Sequence, residues 1–363
     1  MATAAPPVWN RWELLASPAF ATLAPLIEQL PGDHFPTLAQ LNRMCEEREV
    51  VSGSGVPVEF VPQEAKTDEP YETRVYARGK VLTRNRDWHD LFNALAWITF
   101  PRSKAAINRH HYREMLAHQG EGLRGTPRTE GGSRGTPRTE GGSRGTPRDV
   151  LTLFDEGGVI VASSEPELGA LLRKFQWKEL LWQRRAEVIE SMRFYVFGHS
   201  IYEKTLRPYK GITAKSVIFD VPLRELERPL PQQLATLDAR LAKHFGDPKA
   251  LAATEDYAPL PVLGIPGWTA DNEDEHYYDD TQHFRPGRRE SDEQQEERGK
   301  QEVRRSRSEN EVAPRKGRKT YSLSPPPEPG APVLINTLLK STCEAGQAVA
   351  ACLEGTERKV RAP

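Results

Sequence analysis

The sequence predicts an α+β fold: a mostly helical body with short antiparallel β-hairpins, joined to a disordered insertion and a disordered C-terminal tail. Three observations carry this expectation. Helix-like and strand-like apolar patterns both occur, but they do not alternate as βαβ units. The segment RGTPRTEGGS at 124–133 recurs at 134–143 and begins again at 144–148, and it holds no apolar side chain to bury. From 287 to 363 the chain runs through mixed-charge and proline-rich stretches such as RRSRSENE and SPPPEPGAP, a composition that reads as disorder. The expected organisation is one globular domain over 8–286, interrupted by a disordered repeat insertion at 120–148, and a charged tail over 287–363.

Taken in order, apolar residues spaced three and four apart predict helices over 19–30, 36–47 and 87–98. VPVEFV at 56–61 and YETRVY at 71–76 read as strands, with Arg78-Gly79 turning the chain toward Lys80-Val81-Leu82 as a hairpin. DVLTLFDEGGVIVAS gives the clearest hairpin signal: VLTLF and VIVA are apolar, β-branched runs, and Asp155-Glu156-Gly157-Gly158 is the expected turn. Ser163-Ser164 is expected to cap a helix from Glu165 to Lys174. Trp177 to Glu203 reads as one long helix or two abutting ones, with Gly198 as a break. SVIFDV at 216–221 is a strand candidate. PLPQQLATLDARLAKHFG is an amphipathic helix with proline at its start and Gly246 just past its end. Residues 255–287 read as a structured loop that packs back by Trp268, Tyr277, Tyr278 and Phe284. Its oxygen-bearing residues Asp271, Asn272, Asp274, Asp279 and Asp280 do not follow the EF-hand spacing.

Composition excludes several classes. Hydrophobic residues make up 37% of 363 residues and the mean hydropathy is -0.64, low for a chain that is folded throughout. Cys45, Cys343 and Cys352 are too few and too scattered for a disulfide framework or a zinc knuckle, so a reducing, cytoplasmic setting is expected. The first residues lack a secretory pattern, and no uninterrupted apolar run spans a membrane. Net charge is -1, so no nucleic-acid partner is expected for the body; RRSRS and PRKGRK offer weak contacts in the tail. Thr126, Thr136 and Thr146 each precede proline, but a tandem duplication tolerated in a surface loop explains the repeats more simply.

The segment TRNRDWHDLFNALAWITFPRSKAAINRHH at 83–111 resembles the signature of the bacterial domain of unknown function 3025 family. LTLFDEGGVIV at 151–161, RFYVFGHSIYEK at 193–204 and PLPVLGIPGWTADNEDEHYYDDTQHFRPG at 259–287 agree with the same family, as do FVPQ at 60–63 and YETRVYARG at 71–79. The resemblance covers most of 8–286, and the repeats and tail depart from it. It implies no activity, substrate or cofactor.

The residues themselves carry the functional expectation. His89 and Asn93 lie four apart on one face of the 87–98 helix, whose other face bears Leu91, Leu95 and Ile98. Phe100-Pro101 ends that helix and opens another, on which Lys104 and Asn108 are again four apart. This predicts a helical corner with a polar seam of His89, Asn93, Lys104 and Asn108. In FGHSIYEK, His199 and Glu203 share a helical face, a spacing that lets imidazole and carboxylate reach one metal ion.

Two functions follow. In the main reading the chain is a structural or interaction protein, and the seam satisfies backbone groups at the corner. In the alternative it is a metal-dependent hydrolase-like enzyme. There His89, His199 and Glu203 hold a divalent metal, Lys104 holds an anion, and Asn93 and Asn108 orient water. Phe92 to Thr99, followed by Asn108, is also similar to the end of some His-Me finger (HNH-type) endonucleases. In those the histidine precedes on a strand, whereas His89 falls inside the expected helix. The expectation that the repeat packs against nothing has a direct check: deleting residues 124–143 leaves the melting temperature nearly unchanged, as read by thermal denaturation.

Overall fold

The computed structural model of the chain describes residues 8–63, 69–122, 147–247, 251 and 257–286. The repeats, apart from 147–148, and the tail lie outside the described residues. Near the N-terminus, α1 (Arg11–Ala16) is capped by the Asn10 side chain on the Trp12 amide. A 3-10 stretch (Pro18–Leu23) then runs into α2 (Ala24–Ile27), where one continuous helix was expected. Helix α3 (Leu38–Glu47) starts with a capping box between Thr37 and Gln40. Next come β1 (Glu59–Val61), α4 (Tyr71–Arg78), β2 (Lys80–Leu82), α5 (Trp88–Thr99), α6 (Pro101–Gly122) and α7 (Pro147–Gly157). Strand β3 (Gly158–Ser163) follows directly, then α8 (Pro166–Arg173), a π-helical turn (Glu179–Gln183), α9 (Arg185–Ser191), β4 (Met192–Val196) and α10 (His199–Thr205). The described chain ends with β5 (Thr213–Asp220), α11 (Leu223–Leu226), α12 (Leu230–Phe245), β6 (Ala258–Pro261) and short 3-10 turns.

The main sheet has the order β4-β3-β5-β6. Strands β3 and β5 are parallel, and the two outer pairs are antiparallel. Every residue of β3 is buried. Val159 and Val161 belong to one hydrophobic cluster, with Phe92, Leu95 and Tyr202; Ile160 and Ala162 belong to a second, with Phe154, Leu241 and Phe245. A strand covered on both faces reads as a continuous apolar run, as VIVA does. Helix α5 buries its apolar residues in the first cluster, whereas Phe100 and Ile107 lie in the second. The Phe100-Pro101 corner is therefore where the chain passes from one cluster to the other. A second, two-stranded sheet pairs β1 and β2 in parallel.

The α+β class holds, but no hairpin joins two of the described strands. YETRVY is helical rather than extended: it forms most of α4, whose buried residues are Arg74 and Val75. Gly79, at φ 67°, is the left-handed cap of that helix and not a hairpin turn. VLTLF is also helical. Leu151 and Phe154 are fully buried and Leu153 is exposed, which is helical spacing and not alternation. The expected Trp177–Glu203 helix is split by β4, whose five residues pair with β3. Gly198 stands at the N-cap of α10. The borders of the expected insertion are helical too, since α6 extends to Gly122 and α7 begins at Pro147.

The start of α6 depends on another helix. Asp238 of α12 is buried, and its carboxylate accepts the backbone amides of Arg102 (3.0 Å) and Ser103 (2.8 Å) and the Ser103 hydroxyl (2.6 Å). These are first-turn amides with no intrahelical partner, and a negative charge there also suits the helix dipole. Burial pushes the Asp238 carboxyl above its usual range, against the pull of the Ser103 hydrogen bonds. Among the described residues no helix is long and apolar enough to cross a membrane. Asp238→Ala leaves three donors, two of them buried on Ser103, without their acceptor and is expected to cost about 1–3 kcal/mol, measured by chemical denaturation.

Candidate metal centre

The buried side of α5 is aromatic. Trp88 stacks on Phe92 at 5.5 Å between ring centroids, and Phe92 packs on Tyr202 of α10 at 5.5 Å. Phe92 and Tyr202 are both fully buried, and the Tyr202 hydroxyl is anchored on the Val196 carbonyl at 2.5 Å. His89 stands three residues before Phe92, and His199 three residues before Tyr202. Residues three apart share a helix face, so locking the aromatic pair also brings the imidazoles together. Their ring centroids lie 4.4 Å apart at 77°, and their Nε2 atoms are 3.1 Å apart.

A third element reaches the same place. Helix α7 ends at Gly157, and Glu156 Oε2 lies 3.4 Å from His199 Nε2. Gly198 allows this approach. A Cβ on Gly198 would sit 2.4 Å from the Gly158 nitrogen and 2.5 Å from the Glu156 carbonyl oxygen. The Gly198 amide instead donates to the Gly158 carbonyl at 2.9 Å. Contact with His199 holds the Glu156 carboxyl down to about 2, and the Ser200 hydroxyl donates to the same oxygen, Oε2. His89, Glu156 and His199 each offer one ligand atom, all within 4.8 Å of one another. Glu203 meets His89 on its other nitrogen, with Oε2 3.1 Å from Nδ1. His199 is 4% exposed and its Nδ1 has no hydrogen-bond partner among the described residues. The side chains of His89, Glu156 and Glu203 are 33%, 45% and 48% exposed, so the cluster is open to solvent on one side.

The expected seam divides into two parts. Lys104, 3% exposed, donates to Asn93 Oδ1 at 2.9 Å and to Asp155 Oδ1 at 2.5 Å. The anion that Lys104 holds is thus a side chain of the same protein, and the pair ties the end of α7 to the corner. Asn108 lies in a separate network. It accepts the Gly53 amide at 3.1 Å and donates to the Glu72 carbonyl at 3.2 Å, while His111 Nδ1 meets Glu72 Oε1 at 3.2 Å. The structure brings His89 and His199 together, a meeting that the sequence leaves open; it places Glu203 on the other nitrogen of His89, and it joins Asn93 to Lys104. Asn108 bonds to neither group. Glu156 and Asp155 are not among the residues the sequence singles out, because DEGG reads as a hairpin turn. Adjacent carboxylates at the end of an amphipathic helix were the available signal.

The family model described as protein of unknown function (DUF3025) matches residues 58–132 and 134–288. The chain belongs to the DUF3025 family. No curated protein and no solved structure matches it. The DUF3025 match contains His89, Glu156, His199 and Glu203, and it also runs through most of the repeat segment that the sequence reading set apart. Residues 8–57 precede the match, yet Phe20 packs on both Phe92 and Tyr202 at 5.5 and 5.6 Å.

The two glycines at this site separate crowding from composition. Gly198→Ala forces a methyl group into the Glu156 backbone and is expected to destabilise by about 1–3 kcal/mol. Gly157→Ala, where a Cβ meets nothing within 4 Å, is expected to be neutral or stabilising by up to about 1 kcal/mol. Denaturant midpoints of the two variants test the contrast.

Proposed function

We propose that this DUF3025 protein is a metal-dependent hydrolase-like enzyme, with a divalent ion held by His89 Nε2, His199 Nε2 and the Glu156 carboxylate. The observation that carries the reading is the convergence of these three donors from α5, α10 and α7. Bonds of about 2.0–2.1 Å at a tetrahedral angle put neighbouring ligand atoms about 3.3 Å apart. The His89–His199 and His199–Glu156 separations of 3.1 and 3.4 Å bracket that value. Two imidazoles and a carboxylate suit zinc and similar borderline ions.

Three protein ligands would leave a fourth position open to water, and the partial exposure of His89 and Glu156 gives solvent access. A divalent ion held there would supply Lewis-acid chemistry, lowering the pKa of a bound water to about 7 and polarising a substrate carbonyl or phosphoryl oxygen. Glu156 replaces Glu203 as the third ligand of the sequence-based alternative, because Glu203 is engaged on His89 Nδ1. The same geometry favours this reading over a purely structural seam. Half-exposed carboxylates around paired imidazoles are not needed to satisfy a helical corner, and Asn108 satisfies Gly53 and Glu72 away from the corner. The nuclease comparison gains no support, since His89 is helical.

Metal analysis of the purified full chain after exposure to Zn2+ tests the proposal. About one ion per chain is expected, with loss of binding in His199→Ala and in Glu156→Ala. A wild-type protein that retains no stoichiometric ion overturns it. Hydrolysis of simple esters and phosphoesters is expected to fall on chelation and to return with Zn2+.

A further inference from the structure

We propose that Glu203 is a positioning residue for this centre, acting through His89 and not as a metal ligand. This rests on the metal reading above and assigns a role that the reading leaves open. Either nitrogen of a neutral imidazole can carry the proton, and the partner of one nitrogen decides what the other can do. At His89 the carboxylate of Glu203 lies 3.1 Å from Nδ1, so Nδ1 carries the proton and donates it. Nε2 is then left with its lone pair, and it is this atom that faces His199 Nε2 at 3.1 Å. The remaining ligand atom, from Glu156, lies in the same cluster, on the His199 side. Glu203 approaches Nδ1, the nitrogen of the ring that does not meet His199.

The placement follows from helix geometry. Glu203 stands four residues after His199 on α10, on the same face, so the helix that supplies one ligand also supplies the group that orients the other. Packing of Phe92 on Tyr202 fixes the distance between the two helices and with it the reach of Glu203 to Nδ1. Ser200 plays the matching part for Glu156, since its hydroxyl donates to Oε2. A carboxylate on the second nitrogen of a ligating histidine fixes the ring and raises its basicity, and removing such a partner typically weakens metal binding about 10–100-fold. Glu203 is half-exposed, so its replacement leaves the core untouched.

The test uses the full-length protein, with Zn2+ titrated by calorimetry and Co2+ as a spectroscopic substitute. Glu203→Ala is expected to bind Zn2+ about 10–100-fold more weakly while keeping the visible Co2+ band of the wild type, because the ligand set is intact. Glu203→Gln is expected to recover most of the affinity, since its amide oxygen still accepts the Nδ1 proton. Glu156→Ala is expected to change the Co2+ band as well. Wild-type affinity in Glu203→Ala, or a Co2+ band altered as in Glu156→Ala, overturns the proposal.

A second measurement separates its failure from failure of the metal reading. In the metal-free protein, nitrogen NMR of the imidazole rings, with His89→Gln for assignment, is expected to show His89 in the Nδ1–H form, and a shift toward Nε2–H in Glu203→Ala. An Nε2–H form in the wild type sinks the role of Glu203 whatever the metal result. Absent metal binding with the Nδ1–H form present sinks the metal reading, and with it the centre, while Glu203 still sets the His89 tautomer.

Discussion

A strand buried on both faces has to be covered on both faces, and β3 sets this requirement for the rest of the structure. Its side chains alternate between two apolar clusters, so helices must lie against each side of the sheet. A chain that supplies both layers must pass from one to the other. It does so at Phe100-Pro101, between α5 and α6. The partners of β3 on both sides arrive from later in the sequence: β4 follows two helices and the π-helical turn, and β5 follows α10. The candidate centre draws on α5 and α10, which line the first cluster, and on α7, which lines the second. It is thus a product of the layering, formed where both helix layers reach the same edge.

Within that frame, two kinds of contact set the geometry. Aromatic packing of Phe92 on Tyr202 acts at a distance of one helical turn from His89 and His199, and it leaves the imidazoles little freedom in separation. Glycine contact acts directly. Gly198 lets the start of α10 lie against the Glu156 backbone at a spacing that no other residue permits. The Lys104–Asp155 pair adds a tether from the corner to the residue next to Glu156. None of these contacts uses the side chain of a ligand-type residue; the closest, at Gly198, falls on the Glu156 backbone.

How much of this was legible depended on the range of the signal. Local patterns were read well where one period dominated, as in LATLDARLAKHF, SVIFDV and the α5 segment. Where two periods compete, composition misled. VLTLF is β-branched and apolar, but its apolar residues fall at 150, 151, 153 and 154, a helical spacing, and Leu151 and Phe154 are buried while Leu153 is exposed. YETRVY has the same ambiguity: two β-branched residues and two tyrosines weigh toward strand, while a buried Arg74-Val75 pair on a short helix wins in the fold. The strand FYV was hidden because its neighbours on both sides are helical. For the site, the i,i+4 pair His199 and Glu203 was visible, and so was the doubt about what faced it. Glu156 was invisible for a physical reason: its role depends on a helix ending beside Gly198, and the wrong secondary structure for VLTLF removed that helix from view.

The buried pair formed by Lys104 and Asp155 has a consequence for how molecules reach this edge. The ammonium group is covered and already neutralised within 2.5 Å, so from outside it contributes a compact dipole and not a net charge. A dipole's field fades faster with distance than that of a lone cation, and salt at physiological strength screens what remains over about 8 Å. Electrostatic steering by Lys104 is therefore absent. Diffusional encounter at this edge proceeds without a long-range pull from that lysine, and discrimination among incoming molecules falls to groups that act only on contact.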